Sequence, residues 1–162
     1  MESRSPVVQT TIDQTWLLGR AGVVVWVWGL APSEAAVHRA RAWIERLDGD
    51  SPALGIELHP GCGVPSPATR QALLNWRQLV RAVAIVAQAQ DLRLRLAQAV
   101  VSGMSVVNRG VPLRMHSDLP SACRFLAAAS AAAPAHPLTP SELLALWQQA
   151  REVAGVKPGA TR

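Results

Sequence analysis

Gly22-Val23-Val24-Val25-Trp26-Val27-Trp28-Gly29 is the stretch on which the fold turns. Successive side chains of an extended strand point to opposite faces, so Val23, Val25 and Val27 share one face and Val24, Trp26 and Trp28 the other. Both sets are apolar. A strand apolar on both faces is expected in the middle of a sheet, covered on each side, as in α/β domains with parallel strands.

Reading outward, Thr15 to Gly19 forms a shorter strand, and Gly19-Arg20-Ala21-Gly22 supplies the glycines of a tight hairpin into Gly22–Leu30. Residues 1–12 are polar and are expected to be loose. Downstream, Gly29 to Pro32 breaks the strand, Ser33 caps a helix, and Glu34 sits at its positive end. Ala36, Val37, Ala40, Trp43, Ile44 and Leu47 recur at the interval of an amphipathic helix. The next strand is Ala53 to His59, followed by the loop Pro60-Gly61-Cys62-Gly63-Val64-Pro65. Ser66-Pro67 then opens a helix, with proline at the first helical position and serine as cap. Its apolar stripe is Ala72, Leu73, Trp76, Leu79 and Val80.

Ala82-Val83-Ala84-Ile85-Val86-Ala87 reads as a fully buried parallel strand. A helix from Asp91 with Leu92, Leu96, Val100 and Met104 follows and stops near Gly110. Val111 to His116 is a last strand, and Ser117 and Asp118 cap a helix carrying Ala122, Phe125 and Leu126. The order β-β-α-β-α-β-α-β-α predicts an α/β fold. Its mostly parallel mixed sheet of about five strands has helices against it and right-handed crossovers. The domain is expected over 13–130, with an Ala/Pro-rich linker over 131–140. Thr139-Pro140-Ser141-Glu142 is a capping box that starts an extra C-terminal amphipathic helix over 141–154, bearing Leu143, Leu146, Trp147, Ala150 and Val153. A disordered basic tail is expected over 155–162.

Composition bounds the function. The 162 residues suit one domain, and 49% hydrophobic residues are enough for a buried core. The net charge of +5 is carried almost wholly by arginine, Lys157 being the only lysine. No basic run is interleaved with aromatics, which total 4%, so nucleic acid is not the expected partner. Cys62 and Cys123 have no zinc spacing, and no metal or cofactor is expected. The first residues lack the layout of a signal peptide, and the apolar run Ala21 to Ala31 is too short for a membrane span. A cytoplasmic, reducing setting is expected.

The succession of elements over about residues 14–127 resembles the STAS fold of the anti-sigma-factor antagonists, and more narrowly a group of small bacterial STAS-like proteins. Three stretches carry the likeness: Gly22–Gly29; Leu58-His59-Pro60 through Pro65-Ser66-Pro67-Ala68-Thr69-Arg70; and Val111-Pro112-Leu113-Arg114-Met115-His116-Ser117-Asp118 onward to Ala122-Cys123-Arg124-Phe125-Leu126. The resemblance implies a non-catalytic signalling module that binds another protein or a second copy of itself. It also implies a phosphorylatable serine where the helix after the third strand begins. Ser66 occupies that location, between Pro65 and Pro67-Ala68. A few relatives in that fold bind apolar or nucleotide ligands.

The residues offer several candidate sites. A phosphate on Ser66 would lie at a helix N-terminus near Arg70; as a plain cap, the hydroxyl is worth about 1 kcal/mol. Cys62 beside His59 could be a reactive thiol, in an enzyme or redox sensor. Arg70, Arg77 and Arg81 could offer a positive patch, or merely a solvated helix face. Partner contacts are therefore expected from Cys62, Val64, Ser66, Arg70, Arg77, Arg81 and Trp147. Trp26, Trp28, Trp43 and Trp76 form core, or line a site for a small apolar ligand. The stripe of the last helix must dock on its own sheet or on a second copy. His38, His116 and His136 have no spacing that points to chemistry.

Overall fold

The computed structural model describes residues 7–20, 22–47, 51–87, 111–130 and 138–155. Within them, strands β1 (Val8–Ile12), β2 (Thr15–Arg20), β3 (Val23–Trp28), β4 (Ala53–Leu58), β5 (Ala82–Ala87) and β6 (Leu113–His116) form a single mixed sheet whose order is the order of the chain. β1, β2 and β3 are antiparallel to one another in turn; β3 through β6 run parallel. The helices are α1 (Glu34–Glu45), α2 (Pro67–Leu74), α3 (Leu119–Ser130) and α4 (Pro140–Val153).

β3 is central and buried on both faces, as its alternation predicts. Its Val24, Trp26 and Trp28 join Leu54, Ile56, Val83 and Ile85 in one apolar layer, beneath α1 and α2. Val23, Val25 and Val27 join Ala53, Ala84 and Val86 in the other, beneath α3 and α4. Connections between neighbouring parallel strands are right-handed, so successive crossovers that step the same way across a sheet lie on the same face. α1 and α2 obey this. The opposite face has no crossover helix among the described residues and is closed by α3 and α4.

Local chemistry explains the element ends. Ser33 accepts from the Ala36 amide at 3.1 Å and Ser66 from the Thr69 amide at 3.2 Å, capping α1 and α2. Asp118 accepts from the Ser121 amide at 2.7 Å at the start of α3. Thr139 and Glu142 complete the capping box of α4. α2 is shorter than the sequence predicts. After Leu74 the chain tightens into a 3-10 turn over Asn75–Gln78, which still places Trp76 and Val80 in the core.

Two expectations are corrected. Residues 8–12, expected to be loose, form β1, which precedes the predicted domain start. Asp13 adopts the left-handed conformation (φ 51°) that a tight hairpin needs, and the Thr15 hydroxyl donates to the Ile12 carbonyl at 2.7 Å. The sheet thus has six strands among the described residues, not about five. The last helix docks on its own sheet, with Leu143, Leu146, Trp147 and Ala150 buried. The helix expected from Asp91, most of the linker (131–137) and the tail from residue 156 lie outside the described residues.

Candidate functional site at the paired edge loops

β3 and β4 end side by side, with Trp28 opposite Leu58. The two loops that leave them are tied together. The His59 amide donates to the Trp28 carbonyl at 3.1 Å, and the Ala31 amide donates to the Cys62 carbonyl at 2.6 Å. The buried Thr69 hydroxyl donates to the Pro32 carbonyl at 3.0 Å, joining the start of α2 to the start of α1.

The second loop begins with a turn over His59-Pro60-Gly61-Cys62, closed by the Cys62 amide donating to the His59 carbonyl at 3.0 Å. Pro60 sets the first central position, and Gly61 (φ 87°) supplies the positive φ that the second requires. The turn carries Val64 and Ser66 outward. Val64 is 42% exposed, and Leu30, on the partner loop, is 46% exposed. These are two of the four large hydrophobic side chains exposed among the described residues.

Ser66 is exposed. Its hydroxyl accepts from the Thr69 amide and donates to Thr69 Oγ1 at 3.1 Å, which in turn donates to Pro32. A phosphoryl group on Ser66 would end the donation to Thr69 and place negative charge at the amide end of α2. Arg70 lies one turn on, partly exposed, its amide donating to the Ser66 carbonyl at 2.9 Å.

The residues expected to form one partner surface do not lie together. Cys62, Val64, Ser66 and Arg70 belong to this edge. Arg81 stands at the other end of the sheet, because α2 is a crossover that returns the chain to the start of β5. There its side chain donates to the Ser51 carbonyl at 2.6 Å. Arg77 is on the 3-10 turn, and its side chain lies outside the described residues. Trp147 is on the opposite face of the sheet and fully buried, so it is not a surface residue of this chain.

Neither cysteine is in a disulfide bond. Cys62 is partly exposed, its thiol 3.3 Å from the Gly63 carbonyl, and His59 Nε2 is buried without a hydrogen-bond partner. Burial pushes the Cys123 thiol up to about 11, which leaves it protonated and inert at neutral pH. The tryptophans pack closely. Trp26 stacks on Trp76 at 5.3 Å and meets Trp28 edge-on at 5.2 Å. Trp43 is partly buried against the same layer.

A second constellation was missed by sequence reasoning. Glu57, near the end of β4, sits between Val27 and Val86 and is 5% exposed. Its carboxylate accepts from the Trp147 indole at 2.8 Å. It also accepts from Arg151 Nε at 2.9 and 3.0 Å and from Arg151 Nη2. Two residues earlier, Gly55 lies against the Trp147 ring; a β-carbon there would stand 2.6 Å from it. The available signal was a charged residue inside an otherwise apolar strand, Ala53-Leu54-Gly55-Ile56-Glu57-Leu58, and an arginine four residues after the helix tryptophan.

At the far edge of the sheet, Arg114 lies over Phe125 at 5.4 Å and His116 packs on the same ring at 5.5 Å. His116 is held below its ordinary pKa by burial, against the opposing pull of Asp118. Among the described residues no helix is long and apolar enough to cross a membrane, and no group of three or more His, Cys, Asp or Glu could hold a metal ion. No family model matches this chain, nor does any curated protein or any solved structure.

Proposed function

We propose that this domain is a non-catalytic, STAS-like interaction module that recognises a signalling protein through its paired edge loops and is switched at Ser66. The observation that supports it most is the joined pair of loops that presents Leu30 and Val64 to solvent beside an exposed serine at a helix N-terminus. Exposed apolar side chains on a braced loop are what a protein contact uses, because their burial contributes affinity with little loss of loop entropy. Arg70 supplies the charge that would answer a phosphate on Ser66.

The test is co-purification with partner proteins under crosslinking. Val64→Asp and Leu30→Asp are expected to abolish any specific partner while leaving the melting temperature unchanged. Ser66→Glu is expected to change the yield of that same partner. A partner set identical for wild type and all three variants would refute the reading.

A second reading is a carrier of a small ligand. Trp26, Trp28 and Trp76 each bury an indole N–H without a hydrogen-bond partner, on one face of the sheet. A mainly apolar ligand bearing acceptors would answer those donors. Native mass spectrometry decides this reading. A uniformly ligand-free mass, with no thermal shift on adding lipids or nucleotides, counts against it. The third reading, a thiol enzyme or redox sensor at Cys62, requires a thiol that reacts faster with a disulfide reagent than a model peptide does.

A further inference from the structure

The face beneath α4 has a feature that a permanently closed core would not need. Its strand residues are Leu18, Val23, Val25, Val27, Ala53 and Gly55, and then a carboxylate, Glu57. An apolar side chain at 57 would hold the helix at least as firmly, since a buried ion pair is often no more stabilising than well-packed hydrophobic residues. The carboxylate changes the open state instead. When α4 leaves, Glu57 and Arg151 regain water, so opening is less unfavourable than it would be for an apolar pair. Arg151 already lies at the rim, 22% of its side chain exposed.

The same residues fix what can close the face again. The step at Gly55 holds the Trp147 ring against the strand backbone, and Glu57, two residues on, takes both the indole N–H and a guanidinium. The complementary helix therefore carries tryptophan and arginine four residues apart. α4 is such a helix, and its own capping box and first-turn proline favour its helical form when detached. Residues 131–137, Ala-Ala-Ala-Pro-Ala-His-Pro, join it to α3. Extended, a connection of that length reaches roughly 25 Å, enough to carry α4 to a neighbouring molecule.

We propose that α4 exchanges between two copies of this chain, each copy's Trp147 and Arg151 docking on the Gly55–Glu57 step of the other. Every contact that closes the single chain is then reproduced in a two-fold dimer, so the two forms differ only in the connecting segment and in concentration. This dimer uses the face opposite α1 and α2, and does not depend on the edge-loop reading. Partner recognition through Val64 could fail while exchange stands, and the reverse.

Charge reversal tests it. Glu57→Arg and Arg151→Glu each set like charges against each other within one chain. Mixed, the two variants are complementary only across chains. Light scattering is expected to show a 1:1 heterodimer of twice the 17.3 kDa chain mass from the mixture. Neither variant alone should give it. A mixture that stays monomeric overturns the proposal. Should either variant fail to fold, wild-type chains bearing two different affinity tags are mixed at high concentration and left to equilibrate. Exchange predicts that the tags co-purify and that excess peptide 138–155 suppresses this. Tags that never co-purify, or a dimer indifferent to the peptide, overturn it.

Discussion

Gly55 is the smallest residue with the largest consequence here. The Trp147 ring occupies the volume a side chain would fill, its nearest atoms 2.6 and 2.7 Å from an ideal β-carbon. Gly55→Ala must move either the helix or the strand, and overpacking of this kind costs about 1–3 kcal/mol. A lower midpoint of urea unfolding with an unchanged slope is the expected result; no change would mean that α4 shifts freely. His116 supplies a pH dependence. Burial holds its folded-state pKa below 6.5, the value the unfolded chain takes. The unfolded state therefore binds more protons, and stability is lost as pH falls through about 6.5. Denaturation midpoints measured at about pH 7.5 and about pH 5.5 should differ in that direction, and His116→Phe should reduce the difference.

Capping decides where elements begin, and it was largely legible. Ser33, Ser66, Asp118 and Thr139 were read as caps from residue type and spacing alone, because a cap is a local interaction between a side chain and amides three residues on. Thr139→Ala should lower stability by about 1 kcal/mol, with amide exchange rising first in the opening turn of α4. If exchange rises equally throughout the chain, the cap is not local in its effect. β1 was not legible, because three of the five residues of Val-Gln-Thr-Thr-Ile are polar, and on the face that Val8, Thr10 and Ile12 share only Ile12 is buried. It becomes a strand by pairing with β2. The bond from Arg151 to Glu57, ninety-four positions apart, was hidden for a related reason. No local rule connects two charges that meet only after the sheet has formed. Of Arg70, Arg77 and Arg81, the last two lie beyond Leu74, where the chain changes to a tighter turn, so a helical period does not relate their positions to that of Arg70.

The whole molecule is a sheet with unequal covers. One side is closed by helices that link consecutive parallel strands and so cannot be removed without cutting the fold. The other, among the described residues, is closed by α3 and α4. A chain ending after Pro137 would lose the helix that packs on the strands carrying Leu18, Val25 and Val27. Such a truncation is expected to bind a hydrophobic dye strongly and to self-associate in gel filtration while keeping most of its strand signal in circular dichroism. A monomeric, dye-silent product would show that α4 is dispensable for closing this face.

Strand order that repeats chain order has a further result during synthesis. Each strand finds its neighbour already made, which keeps the sequence distance of strand pairing short. The α4 part of the cover over the second side arrives last among the described elements, since Leu143 to Ala150 leave the ribosome only after β1 to β6 have emerged. Until then, the nascent polypeptide carries a water-facing slab of valine and leucine with one carboxylate in it, and a message cut short before that point yields a product that cannot seal itself.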